Sequence, residues 1–124
     1  MASKNTQQIH RGAVFYVNLG DAKDFPPSSI QRGVRPAIII SNESCNRHSS
    51  VITILSCSSR CESKAKIPTH VTISANESGM KRDSIVLCEQ PISIDKKDLM
   101  EYITTLNDEQ MSKINQALRI QMCL

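Results

Sequence analysis

The 124-residue chain, 40% apolar and carrying a formal charge of +3, is the size of one ordinary domain with a single useful core. It contains no run near the roughly 18 apolar residues of a membrane span, and its start, MASKNTQQIH, lacks the apolar stretch of a secretory signal. A cytoplasmic location is the expectation, and five cysteines, an odd number outside a secreted scaffold, are expected to be reduced packing residues.

In chain order, residues 1–9 read as a flexible polar tail and residues 10–124 as a single domain. Ala13 to Leu19 is apolar with bulky and β-branched members, which predicts a strand. Gly20 to Gly33, GDAKDFPPSSIQRG, is a long loop whose Pro26 and Pro27 exclude regular helix or central strand. Loops of that length in small domains are often functional. Ala37 to Ile40 and Val51 to Cys57 are short β-branched runs between polar turns and read as buried strands. Ser58 to Lys66 is polar and basic, a second exposed loop. Thr69 to Ser74 alternates as a strand, and Ser84 to Cys88 reads as another, with Pro91 soon after its end. From Asn107 onward, Met111, Ile114, Leu118 and Met122 recur at helical spacing, with Asn107 at the N-cap, Gln110 at N3 and Arg119 near the far end. Several close strands with a terminal helix predict a small barrel-like sheet, mainly β in class.

Charge is unevenly placed. Residues 31–82 hold eight basic side chains against three acidic ones, an excess of five, whereas residues 83–124 hold four against seven. A polyanion would be drawn to the central segments.

Three segments taken together carry a resemblance: GVRPAIIISNESCNR (Gly33 to Arg47), KAKIPTHV (Lys64 to Val71) and KRDSIVLCEQPISIDK (Lys81 to Lys96). They resemble the MazF/PemK family of toxins, and the likeness runs in order from HRGAVFYVNLG through the terminal helix. The resemblance implies an SH3-like, MazF-PemK-CcdB-like barrel with short helices and a C-terminal helix. It also implies a homodimer, no cofactor or metal, neutralisation by a cognate antitoxin, and cleavage of single-stranded RNA at a short sequence. The family pairs the Arg of its VRP motif, here Arg35, with a Thr at the end of the next strand. Counting without a gap puts Ser58 at that position, while one additional residue before KAKIPTHV, if it lies early, would make Ser59 the match. The chain departs from the family also at Ala13, where an acidic residue is usual, and at Arg32, where a Gly commonly precedes GVRP.

The chemistry fits these residues. RNA supplies its own nucleophile, the 2′-hydroxyl, so a protein can cleave it by aligning that oxygen and stabilising charge on the phosphoryl oxygens. The guanidinium of Arg35 is planar, permanently charged and able to grip two phosphate oxygens, with the Ser58 hydroxyl as its helper. Such cleavage would leave a 2′,3′-cyclic phosphate and a 5′-hydroxyl. RNA contacts are expected from Phe25, which could stack on an unpaired base, and from Gln31, Ser59, Arg60, Lys64 and Lys66. Phe25 could equally pin its loop. His70 reads as structural, and Asp83 as an ion-pair partner of Arg82. A zinc site from Cys57, Cys61 and a histidine is the weaker reading, because a single C-x3-C lacks paired zinc clusters. Against the ribonuclease stand a non-catalytic barrel acting on a protein such as DNA gyrase, and a silent homologue that only sequesters an antitoxin.

Overall fold

The structure is a computed structural model that describes residues 8–59 and 67–124. One six-stranded antiparallel sheet organises it: β1 (Ala13–Asn18), β2 (Val34–Ile39), β3 (Val51–Ser58), β4 (His70–Ile73), β5 (Ser84–Asp95) and β6 (Leu99–Thr105), in the order β4-β5-β3-β2-β1-β6. Three helices interrupt or end it: α1 (Glu43–His48), α2 (Ala75–Ser78) and α3 (Asp108–Met122).

Alternation along the strands feeds two apolar clusters. Val14, Ile38, Leu55, Val71, Val86 and Leu106 pack with Ile114 and Ala117 of α3. The opposite cluster holds Ala13, Phe15, Val17, Ile39, Ile52, Ile54 and Leu99. Ile9, placed in the tail by the sequence, is buried in this second cluster. The sheet curls so that its two ends approach. A Cβ added to Gly79, after α2, would lie 2.8 Å from Thr104 Oγ1 on the edge strand β6. Gln110 of α3 donates to the carbonyl of Glu77 at 3.1 Å. This is the barrel-like arrangement expected from the sequence, with α3 covering one side.

The terminal helix starts where its cap demands. Asn107 accepts from the Gln110 N–H, and the Gln110 side chain accepts in return from the Asn107 N–H, satisfying two donors the helix leaves orphaned.

Two strands extend further than their patterns suggest. Strand β2 begins at Val34, three residues before the expected Ala37, because Pro36 does not end it. Pro36 faces Tyr16 across the β1 ladder, while the β2–β3 pairing starts only at Ala37, so the missing N–H costs no ladder bond there. Strand β5 runs through Pro91 to Asp95, where the sequence placed its end near Cys88. Its register against β3 shifts between Leu55↔Pro91 and Cys57↔Val86, and prolines are tolerated at such irregularities. Strand β6 and the helices α1 and α2 had no clear signature: α1 is only six residues long and α2 four.

Candidate active site and nucleic-acid interface

Local chemistry sets the Arg35 side chain. Gly20 and Gly33 close the base of the long loop, with Gly33 N–H to Gly20 O at 2.6 Å and Leu19 N–H to Gly33 O at 2.8 Å. Gly33 has φ +87°, a conformation that other residues adopt at a cost, and it lies in contact range of the Arg35 guanidinium. Arg35 itself is half-buried, and its Nε donates to the Arg32 carbonyl at 2.8 Å. That bond orients the guanidinium plane, and among the described residues the terminal nitrogens make no hydrogen bond.

Ser58 is 3% exposed at the last position of β3. The β2–β3 pairing ends at Ala37↔Ser56, and beyond it Arg35 and Ser58 line the same cavity.

Arg35 lines two cavities. One, of about 380 Å³, is formed by the long loop with Phe25, Pro26, Gln31, Arg32 and Ser58 among its walls. The other, of about 310 Å³, includes Tyr16, Ser59, Lys81, Arg82 and Ser84. The structure therefore gathers Arg35, Ser58, Ser59, Phe25 and Gln31 around one guanidinium, whereas Arg60, Lys64 and Lys66 lie outside the described residues.

The loop is tied down by side chains rather than by a core. Gln31 donates from its backbone N–H to Gln90 Oε1 at 3.0 Å and from its side chain to the Cys57 carbonyl at 2.9 Å. Gln90 donates to the Ser29 carbonyl at 3.1 Å. Phe25 is 40% exposed, with the Arg32 guanidinium 3.7 Å from its ring centroid. Its ring edge also lies against Gly20, where a Cβ would come within 2.9 Å. Both features pin the loop, so a nucleobase would use the remaining ring face.

Other sequence candidates resolve as structural groups. His70 Nε2 pairs with Glu89 Oε2 at 2.9 Å between β4 and β5. Asp83 accepts from the Ala75 N–H at 2.8 Å, holding the start of α2. Cys57 and Cys88 are buried in the α3-side cluster, and burial pushes both thiols up to about 12, far from a reactive thiolate. For the weaker zinc reading, Cys61 lies outside the described residues. Sequence reasoning gave Tyr16, Lys81 and Gln90 no individual role at the site, although all three lie within the segments that carry the resemblance, and it read Arg82 as an ion-pair partner of Asp83.

The fold and site define a small curved antiparallel sheet, closed by a terminal helix, with a basic cleft centred on one arginine. Residues 10–122 match the family described as PemK-like, MazF-like toxin of type II toxin-antitoxin system, and the chain belongs to that family. It is 40% identical over 116 residues to Endoribonuclease EndoA of Bacillus subtilis (strain 168), covering 94% of this chain and 96% of the relative. Among solved structures, an endoribonuclease in complex with its cognate antitoxin from Mycobacterial species superposes with TM-score 0.72 at 25% identity, over 93% of this chain and 95% of the other. MazF from Deinococcus radiodurans matches in fold with TM-score 0.74 at 18% identity, over 93% and 96% of the two chains.

Proposed function

We propose that the chain is an endoribonuclease toxin that cuts single-stranded RNA at a short sequence, with Arg35 and Ser58 acting on the scissile phosphate. The observation that supports this most is Arg35 itself: a half-buried guanidinium, oriented by a hydrogen bond to the Arg32 carbonyl, that lines two cavities and shares one of them with Ser58. Membership of the toxin family and likeness to a Bacillus endoribonuclease favour this reading over a barrel that only binds a protein.

In the reaction, the RNA 2′-oxygen forms a bond to phosphorus and gives its proton to solvent water, while the bond from phosphorus to the 5′-oxygen breaks and that oxygen takes up a proton. The products are a 2′,3′-cyclic phosphate and a 5′-hydroxyl. The guanidinium of Arg35 is a poor base but a strong hydrogen-bond donor. It neutralises the charge on the non-bridging oxygens and donates toward the departing 5′-oxygen, and Ser58 supplies a second hydrogen bond. This scheme assigns no step to a metal or cofactor.

Residues 10–124 act as one domain, in the cytoplasm, as a homodimer. A cognate antitoxin neutralises the protein by covering the RNA site, a role for which the mycobacterial complex is the precedent in a relative.

The test is cleavage of a long, unstructured RNA by purified protein in EDTA, beside Arg35→Leu, with the cuts and their new ends mapped. Cuts at one short sequence with cyclic-phosphate ends, and a loss of at least about a hundredfold in the variant, are expected. Folded wild-type protein that leaves several RNAs intact would overturn the reading.

A further inference from the structure

The reaction as derived leaves the second cavity, of about 310 Å³, without a role, and no residue of the Gly20–Gly33 loop lines it. Its walls bring together parts of the chain that are remote in sequence: Tyr16 on β1, Ser59 after β3, and Lys81, Arg82 and Ser84 at the start of β5. Three cations, Arg35, Lys81 and Arg82, face one small volume together with two serine residues and a tyrosine.

Lys81 and Arg82 are both exposed, and among the described residues neither is in an ion pair. Among the described residues no carboxylate lines this cavity, and cations crowded in this way repel one another, an arrangement that an anion relieves. Lys81 is also positioned, because its ammonium lies 5.7 Å from the centroid of the Tyr16 ring. A cation over an aromatic face is attracted by the ring quadrupole, so part of the rotamer entropy of the long side chain is lost before any ligand arrives. Tyr16 faces Pro36, the residue after Arg35, across the β1–β2 ladder, so the ammonium is indexed to the catalytic arginine through two paired strands.

Resting on the ribonuclease reading, we propose that Lys81, held over Tyr16 and aided by Arg82, binds the RNA phosphate next to the scissile one, in the cavity that the Gly20–Gly33 loop does not line. The strand then crosses from the loop cavity, over Arg35, into the Lys81 cavity. Phosphate contacts set register and carry no base information. Lys81 therefore positions the strand and leaves the choice of sequence to the loop.

The experiment uses full-length protein and RNA oligonucleotides containing the mapped cut site, made uncleavable by a 2′-deoxy substitution at the scissile nucleotide. Lys81→Met is compared with wild type for binding, and for KM and kcat on the cleavable RNA. Binding weaker by about three- to tenfold, kcat held, the cut sequence unchanged, and a salt slope shallower by about 0.7 are expected. Trimming the oligonucleotide by one nucleotide from one end, but not from the other, should abolish the difference between variant and wild type. Tyr16→Leu, which removes the ring, should reproduce part of the loss, and Tyr16→Phe, which keeps it, should not. Wild-type cleavage with unchanged KM and salt slope in Lys81→Met would overturn the proposal and leave the ribonuclease standing. Loss of affinity for an acidic antitoxin peptide alone, with RNA binding intact, would overturn it too and assign the cavity to that peptide. Wild-type protein that neither binds nor cuts RNA would remove both.

Discussion

The two walls of the Arg35 site are built in opposite ways. On the ladder side, β2 and β3 pair in a fixed register above clusters in which Ile38, Ile39, Ile54 and Leu55 are fully buried. On the loop side, every residue from 21 to 30 is exposed, and the tethers described are the Gln31 and Gln90 hydrogen bonds and the Arg32–Phe25 contact. The difference teaches how the work is divided. On the proposed reading, the chemistry, which needs atoms held to fractions of an ångström, falls to the rigid ladder, and recognition of a short sequence falls to a loop cheap to reshape.

The sharpest way to break this comparison is to loosen the rigid wall. Ile114 of α3 is fully buried against the sheet, so Ile114→Ala should cost about 2–5 kcal/mol of stability in urea denaturation. A cost below about 1 kcal/mol would mean that α3 does not hold the sheet. Next comes alkaline pH. Cys57 and Cys88 hold their protons to about 12 in the fold, against an ordinary value of 9.0. The folded state then binds more protons than the unfolded one above pH 9, so stability is full below pH 9 and falls from there toward 12. The slope reaches about 1.4 kcal/mol per pH unit for each thiol. Cys57→Ala should flatten it, and in native protein the exposed Cys45 and Cys123 should react with a thiol reagent well before Cys57 and Cys88.

At the junction of the two walls, Gly33→Ala should lower stability by about 1 kcal/mol, the cost of a positive φ for alanine. Cleavage should fall by more than that loss explains, because the hairpin base aims Arg35; a rate unchanged from wild type would detach Gly33 from the site. The smallest effect on stability belongs to the loop. Phe25→Ala should change it by less than about 0.5 kcal/mol yet alter RNA affinity or the mapped cut sites. If neither moves, the ring serves only to pin the loop.

Legibility followed the same division. Strands β1 and β3 and the helix α3 carry strong local patterns, and their observed bounds lie within a residue or two of those expected. The misses arose where a long-range partner overrides a local signal. Pro91 read as lying past a strand end, but it sits at a register irregularity inside β5, and β2 takes in Pro36 ahead of its expected start at Ala37. Strand β6 lacks clean alternation and exists because β1 offers an edge, with register shifts that no local pattern encodes. Ser58 and Ser59 could not be separated by counting. Each lines a different cavity with Arg35, Ser58 the one under the long loop and Ser59 the one beside Lys81.

By itself the sequence determined the class of fold, the family and the central arginine, because apolar periodicity and a contiguous Gly-Val-Arg-Pro segment are local properties that survive without coordinates. Only the tertiary structure decided that Arg35 lines two cavities, that Gln90 ties down the loop, and that Tyr16 holds Lys81. Those relations join residues between about 45 and 65 positions apart, and the curl of a sheet, not any spacing along the chain, brings them within reach of one another.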